Sequence, residues 1–273
     1  MGMAAEMWAR WMSLACSGAR RVAARGPGGV RFVLAVMVAV ASFAMVVTAP
    51  PASAAPPGTG LAWGSNGSGE LGNGTNTSST APVNVHSTTP VNVQLPAGTT
   101  ITAIAAGFGH SLALTSTGAV LAWGYNANGQ LGNGTNTDST TPVNVQLPAG
   151  TTITAIAAGG FHSLALTSTG AVLAWGRNVS GELGNGTNTD STTPVAVSTP
   201  ATSGITAIAA GNGHSLAVTS TGAVLAWGFN ADGELGNGTT TDSNTPVAVS
   251  APATRITAIA GGGQHSLATG RRR

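Results

Sequence analysis

The sequence contains no lysine and few charged residues of any kind. Charged side chains make up 7% of its 273 residues, against about 25% in an ordinary soluble domain. Five of the ten arginines lie within the first 31 residues, and from residue 55 onward five arginines stand against seven acidic side chains, a net charge of −2. This part of the chain lacks the basic surface that nucleic-acid binding requires, so we expect no nucleic-acid partner.

Cysteine is nearly absent as well, because Cys16 is the one cysteine in the chain. It lies in an arginine-containing segment that precedes an uncharged apolar run of 16 residues, Phe32 to Val47, and a small-x-small sequence ending at Ala54. These features predict a secretory signal peptide over residues 1–54, with either general or twin-arginine export left open by Arg20 and Arg21. A transmembrane helix needs about 20 apolar residues, so the 16-residue run is too short to span a membrane. We therefore expect a secreted or cell-surface protein with no thiol, no disulfide and no membrane segment once the signal is cleaved.

Helical periodicity is also lacking after the leader, where the chain is instead repetitive. The string Leu-Ala-Trp-Gly recurs at intervals of 60, 52 and 52 residues, and His-Ser-Leu-Ala recurs at intervals of 52, 52 and 51. The tryptophans are Trp63, Trp123, Trp175 and Trp227, and the histidines are His110, His162, His214 and His265. Four repeats therefore span residues 61–269, after a short linker at 55–60 and before a basic tail at 270–273.

Each repeat contains short apolar runs bounded by Gly, Asn, Ser and Thr, which is typical of strands separated by turns. In the second repeat the runs are 119–123, 153–158 and 163–166, with a weaker fourth strand at 142–147. A Ser-Thr-Gly turn at 116–118 predicts that the His-Ser-Leu-Ala strand and the Leu-Ala-Trp strand form a hairpin. The runs are apolar on both faces, so each small sheet needs cover on both sides, and stacked sheets supply it. The class predicted is all-β.

The segment from Gly109 to Thr135, GHSLALTSTGAVLAWGYNANGQLGNGT, resembles the repeat of the regulator of chromosome condensation family. This resemblance implies that each repeat supplies one four-stranded blade of a β-propeller. The family's best-known members have seven repeats, and its nuclear members exchange nucleotide on a small GTPase and contact chromatin. A signal peptide and an acidic body favour instead the secreted bacterial type, which includes an inhibitor protein that binds β-lactamases.

Four ~52-residue repeats leave two architectures open. In one, the N-terminal strands from Leu61 and the C-terminal strands over 256–268 share a blade and close a four-bladed ring, with Leu61 to Trp63 paired beside Ser266 to Ala268. In the other, the blades form an open partial propeller, either a gene fragment or half of an oligomer. The open form predicts self-association through exposed strand edges.

The repeated polar residues do not form a catalytic constellation. Four equivalent histidines predict a role in the fold, with each ring satisfying a local carbonyl, and the alternative is a metal site formed if ring closure brings the four rings together. Asp138, Asp190 and Asp242 share a loop position and are expected to accept backbone N–H groups there, with calcium binding as the alternative. We assign no catalytic, cofactor-binding or metal-binding residue. The four tryptophans are predicted to fill the space between blades.

Positions that vary between repeats are the candidates for recognition, since identical positions serve the blade. They fall in two columns, one after each Trp-Gly and one before each histidine. The candidate partner-binding residues in these columns are Phe108, Tyr125, Phe161, Arg177, Asn212 and Phe229. Aromatic and arginine side chains on rigid turns are typical of protein interfaces.

Two functions follow from these patterns. The first is a secreted, non-enzymatic propeller that binds a protein, such as an extracellular enzyme that it inhibits. The second is a structural or cell-surface repeat protein whose uniform loops contact wall polysaccharide by many weak contacts.

Overall fold

The computed structural model describes residues 61–84, 100–200, 204–250 and 254–272. All of them belong to one compact unit of the chain, Pro50–Arg273. The predicted signal peptide and linker lie outside the described residues. No helix in the described ranges is long and apolar enough to cross a membrane.

The described residues form sixteen strands and no helix. In chain order the strands are β1 (Leu61–Gly64), β2 (Ser79–Asn84), β3 (Ile101–Ala106), β4 (His110–Thr115), β5 (Val120–Gly124), β6 (Ser139–Asn144), β7 (Ile153–Ala158), β8 (His162–Thr167), β9 (Val172–Gly176), β10 (Ser191–Ala196), β11 (Ile205–Ala210), β12 (His214–Thr219), β13 (Val224–Gly228), β14 (Ser243–Ala248), β15 (Thr254–Gly261) and β16 (Ser266–Arg272).

The strands form three complete antiparallel sheets of four, in the orders β3-β4-β5-β6, β7-β8-β9-β10 and β11-β12-β13-β14. We call these blades 1, 2 and 3. Two further sheets have two strands each, β1-β2 at the start and β15-β16 at the end. This is the all-β repeat architecture that the sequence predicts.

The predicted hairpin is present in each complete blade. In blade 1, β4 and β5 pair with Ser111 opposite Trp123 and Leu112 opposite Ala122. The turn between them is closed by the Gly118 N–H, which donates to the Thr115 carbonyl at 3.0 Å. The fourth strand, β6, is also present, but it begins at Ser139 and ends at Asn144 rather than covering 142–147.

The core lies between the blades, as the two-sided apolar strands predict. Leu112 and Ala122 of blade 1 pack against Ala165 and Trp175 of blade 2 in one buried cluster. Equivalent residues of blades 2 and 3 form a second cluster. Both faces of the middle strands are therefore covered, and β5 and β9 are buried along their whole length.

Each buried tryptophan occupies a slot on the preceding blade. The Trp175 indole N–H donates to the Gln130 carbonyl at 2.8 Å, and Trp227 makes the same bond to the Glu182 carbonyl. The ring lies over Gly132 so closely that a Cβ there would be 2.7 Å from Trp175 Nε1. The loop must therefore carry glycine at this position, which explains part of the repeated Gly-Asn-Gly sequence.

The repeated histidines connect one blade to the next. His110 Nε2 lies 2.9 Å from Ser163 Oγ in blade 2, and His162 Nε2 lies 2.9 Å from Ser215 Oγ in blade 3. The Ser163 hydroxyl already donates to the Gln130 carbonyl, so it accepts from the His110 Nε2–H. The sequence prediction of a local carbonyl partner is therefore wrong, because the ring reaches a serine hydroxyl on the next blade.

This tautomer leaves the buried Nδ1 of His110 unprotonated and without a partner among the described residues. Burial lowers the pKa of His110 from 6.5 to about 4. Burial also lowers the pKa of His162, to about 3, with smaller contributions from His110, His214 and Arg177. Burial likewise lowers the pKa of His214. The histidines that join the blades are thus neutral at pH 7.

The two ends of the repeat array correspond to the open alternative. Among the described strands, β1 pairs only with β2, and β16 pairs only with β15, so the pairing of Leu61 to Trp63 beside Ser266 to Ala268 is not formed. Trp63 and His265, predicted as structural repeat residues, are consequently exposed. The predicted basic tail also lies partly in the sheet, because β16 continues through Gly270 to Arg272.

Truncating a tryptophan between two complete blades should destabilise the protein strongly. Trp175→Ala removes a fully buried ring and leaves a cavity, so we expect the free energy of unfolding in urea to fall by about 3–5 kcal/mol. Trp175→Phe keeps most of the ring and loses the indole N–H, and its expected cost is about 1 kcal/mol. A loss below about 1 kcal/mol for the alanine variant would contradict the role of the slot.

Stability should also fall in mild acid. The folded-state pKa values of His110 and His162 lie below the unfolded value of 6.5, so the unfolded chain binds protons first as the pH falls. The stabilisation is fully present above pH 6.5 and is lost between pH 6.5 and about 4 for His110 and between pH 6.5 and about 3 for His162, by about 1.4 kcal/mol per pH unit for each histidine. His162→Gln, which can still donate to Ser215, should reduce this slope in urea titrations. An unchanged slope would contradict the assignment.

Candidate protein-binding face

The two variable columns lie side by side in every complete blade. A backbone hydrogen bond joins them in each: Tyr125 N–H donates to the Gly109 carbonyl at 2.7 Å, Arg177 N–H to the Phe161 carbonyl at 2.9 Å, and Phe229 N–H to the Gly213 carbonyl at 2.8 Å. The residues of one column follow the third strand of each blade, and the residues of the other column precede the second strand. The hairpin register thus unites two separate stretches of each repeat into one edge of the blade.

Three of the predicted residues meet in one cluster, which we call the aromatic patch: Phe108, Tyr125 and Phe161. The ring centroids of Phe108 and Phe161 are 5.6 Å apart, and those of Tyr125 and Phe161 are 5.9 Å apart in an edge-to-face arrangement. Phe161 belongs to blade 2 and the other two to blade 1, so the patch bridges two blades. Phe108 is 80% exposed, and the other two rings are partly exposed.

The remaining three candidates make no ring contact with the patch; Arg177 and Asn212 are joined by backbone hydrogen bonds to Phe161 and to its neighbour Gly160, and Phe229 lies at the equivalent position of blade 3. Arg177 follows blade 2's third strand and is joined to Phe161 through the backbone. Asn212 is exposed, and its carbonyl accepts a hydrogen bond from Gly160 N–H at 3.0 Å. Phe229 is half-buried beside Gly213. The structure therefore brings together an aromatic centre with polar and charged neighbours along one edge.

Arg177 forms an ion pair with the neighbouring carboxylate of Glu182. Arg177 Nε lies 3.7 Å from Glu182 Oε1, and Glu182 Oε2 accepts the Ser180 N–H at 2.8 Å. Burial raises the pKa of Glu182, and this effect outweighs the opposing effects of the Ser180 N–H and the Arg177 charge. Because Arg177 remains partly exposed, its guanidinium N–H groups stay accessible at the edge of the patch.

A buried asparagine in each repeat holds the loop that follows the variable residue, and sequence reasoning missed it. Asn178 is fully buried; its Nδ2 donates to the carbonyls of Thr187 and Thr189, both at 3.0 Å. Its Oδ1 accepts the Leu183 N–H at 2.8 Å. The signal was its identity in all four repeats. This loop is rigid, so the residues at its start are presented in fixed positions.

The repeated acidic residues support the same loops. Asp138, Asp190 and Asp242 each accept the backbone N–H of an asparagine of this kind at 2.7 or 2.8 Å, which confirms the expected turn role. Within the described ranges there is no group of three or more His, Cys, Asp or Glu residues that could hold a metal ion. Instead, three of the four histidines of the metal alternative, His110, His162 and His214, each hydrogen-bond to a serine of the following sheet.

Comparison with known proteins gives the family. The RCC1-like domain model matches residues 42–268. The ultraviolet-B receptor UVR8 of Arabidopsis thaliana is 34% identical over 207 residues, which cover 76% of this chain and 45% of that protein. Yeast RCC1 (Prp20), solved bound to Kap60, is 26% identical with a TM-score of 0.66, covering 78% of this chain and 50% of that one.

A second structure, of Prp20p from Saccharomyces cerevisiae in a study of its binding to Gsp1p and histones, matches with a TM-score of 0.65 and 26% identity over 77% of this chain and 51% of that one. The chain thus spans about half the length of these relatives. The repeat sequence, the stacked four-stranded sheets and the family match agree, and the chain belongs to the RCC1-like domain family, whose blades form β-propellers.

Proposed function

We propose that this chain is a secreted, non-enzymatic binding module that engages an extracellular protein through the aromatic patch and Arg177. The observation that carries the proposal is the convergence of Phe108, Tyr125 and Phe161, from two blades, on one exposed edge. Exposed aromatic rings clustered beside an arginine are the side chains that dominate protein–protein binding energy. The variable positions of an otherwise uniform repeat are concentrated there.

Rigidity strengthens this choice of surface. The patch lies on hairpin ends and loops that are held by buried asparagine side chains and by bonds between blades. A preorganised surface loses little conformational entropy on binding, so more of the contact energy remains as affinity. Relatives of the same family have protein partners, since the yeast protein was solved with Kap60 and studied for binding to Gsp1p and histones.

The charge of the body favours a partner that is not a polyanion. From residue 55 onward the chain has a net charge of −2, and the aromatic patch carries one arginine beside it. We propose secretion because of the N-terminal apolar run and the small-residue sequence that ends at Ala54. An extracellular enzyme that the module inhibits is the first class of partner to test.

The proposal predicts that Phe108→Ala combined with Phe161→Ala abolishes capture of the partner. The chain is used as bait on proteins secreted by the producing cells, and each captured protein is purified and titrated. Removing two exposed aromatic anchors should weaken binding by about 2 kcal/mol or more, which is roughly 30-fold in Kd. Thermal unfolding of the variant should stay close to that of the parent.

The matched control is Ser116→Ala combined with Ser168→Ala. Both serines are exposed and lie at the opposite ends of the hairpins in the same two blades, so capture should be unchanged. If every captured protein binds the phenylalanine variant as well as the parent, the proposed surface is wrong. If the parent captures no protein but sediments with purified cell-wall material, the wall-polysaccharide function replaces this one.

A further inference from the structure

The two half sheets at the ends of the array are complementary parts of one blade. By sequence and register, β1 and β2 are the third and fourth strands of a blade, since Leu61 pairs with Asn84 as Leu121 pairs with Asn144. In the same way β15 and β16 are the first and second strands, since Ala260 pairs with Leu267 as Ala105 pairs with Leu112. Among the described residues, each end thus has only the two strands of a blade that the other end does not have.

The side chains that would be covered by the missing strands are exposed. Trp63 is 63% exposed, whereas Trp175 and Trp227 are fully buried at the same repeat position. Leu267 is 62% exposed, whereas Leu164 at its equivalent position is fully buried. Beside Trp63 lies a cavity of about 460 Å³, lined by Trp63, Ile104 and other apolar residues of blade 1. These apolar surfaces flank unpaired strand edges.

Blade 3 carries an indole slot that is not filled by the described residues. The Glu182 carbonyl accepts both the Trp227 indole N–H and the Ser215 hydroxyl. Its counterpart, the Glu234 carbonyl, accepts the Ser266 hydroxyl at 2.8 Å but no indole. A Cβ on Gly236 would meet only Val249, whereas Gly184 at the same position is covered by Trp227. The slot opens into a cavity of about 290 Å³.

The histidine and serine positions repeat this complementarity. His110, His162 and His214 each bond to the serine of the following blade. His265 is exposed and makes no such bond among the described residues. At the other end, Ser111 donates to the Glu70 carbonyl at 3.0 Å, as the other serines do to theirs, but no described histidine reaches it.

We propose that these ends are joined by a second copy of this chain. The β1 strand of one copy adds to the free edge of β16 of the other, antiparallel, with Trp63 opposite Ser266 and Ala62 opposite Leu267. Trp63 then fills the slot at Gly236 and donates to the Glu234 carbonyl. His265 donates to Ser111 of the second copy. The strand pairing in this join is a copy of one that exists within each complete blade, and the tryptophan and histidine contacts are copies of those between blades.

The unpaired ends of the array favour a second copy over closure within one chain. Among the described residues, β1 and β16 do not pair with each other within the chain. These residues form three complete blades and two half blades. Two copies joined at both ends therefore make six complete and two composite blades, and eight blades lie within the range known for propellers. A two-fold axis closes such a ring.

Disulfide trapping between separately purified chains tests the proposed register. Both chains carry Cys16→Ser and are purified in the form that the expressing cell produces. A chain with Ala62→Cys is then mixed with a chain with Leu267→Cys, and the mixture is oxidised. The proposal predicts a covalent heterodimer, because directly opposed side chains on paired strands lie within about 5 Å of each other. The matched control pairs Ala62→Cys with Ala268→Cys, which is on the opposite face of the strand and should cross-link far less.

Light scattering of the native chain and of Trp63→Ala provides the second readout. Trp63 is exposed within one chain, so its loss should leave the fold intact and convert the dimer to a monomer. Val179→Ala, which truncates an exposed side chain away from both ends, should leave the dimer unchanged. A monomeric parent without the heterodimer cross-link would overturn the proposal, as would a Trp63→Ala variant that remains fully dimeric.

Discussion

The structure depends on one backbone carbonyl in each repeat that is shared between neighbouring blades. The carbonyl of Gln130 accepts the Trp175 indole N–H and the Ser163 hydroxyl, and the same serine oxygen accepts from His110. The glycine beside it leaves room for the ring. A single loop position thus fixes the tryptophan, the serine and the histidine of two blades at once, in a dry interior where unpaired polar groups are costly. The Glu182 carbonyl repeats this arrangement with Trp227, Ser215 and His162. The Glu70 carbonyl accepts the Trp123 indole N–H and the Ser111 hydroxyl.

This shared acceptor explains why the repeats are so similar and where they are free to differ. The tryptophan and serine that bond to the carbonyl and the histidine that bonds to the serine recur in every copy, whereas the residue that presents the carbonyl is Glu in three copies and Gln130 in the fourth. Tyr125 and Phe161 lie just outside this network, where their side chains are partly exposed and their backbone groups are hydrogen-bonded. Variation is therefore tolerated there, and it is at these positions that the aromatic patch is assembled.

Much of this could be predicted from the sequence because the repeats reveal both period and strand composition. The three strands richest in apolar residues and the Ser-Thr-Gly hairpin follow from local patterns. The partner of His110 could not be predicted, since Ser163 is in the next blade and a single repeat does not show how blades are stacked. Trp63 and His265 have the same sequence environment as their buried equivalents, and only their place at the ends of the array leaves them exposed.

The most direct test of this account is a double-mutant cycle between His162 and Ser215, which lie in adjacent blades. The single variants His162→Ala and Ser215→Ala and the double variant are unfolded in urea, with His162→Ala and Ser116→Ala, which lies at the far end of a hairpin in another blade, as the control pair. We expect the His162–Ser215 pair to show a coupling energy of about 1–3 kcal/mol, and the control pair to be additive within about 0.5 kcal/mol. Additivity for His162 and Ser215 would contradict the claim that this hydrogen-bonded chain joins the blades.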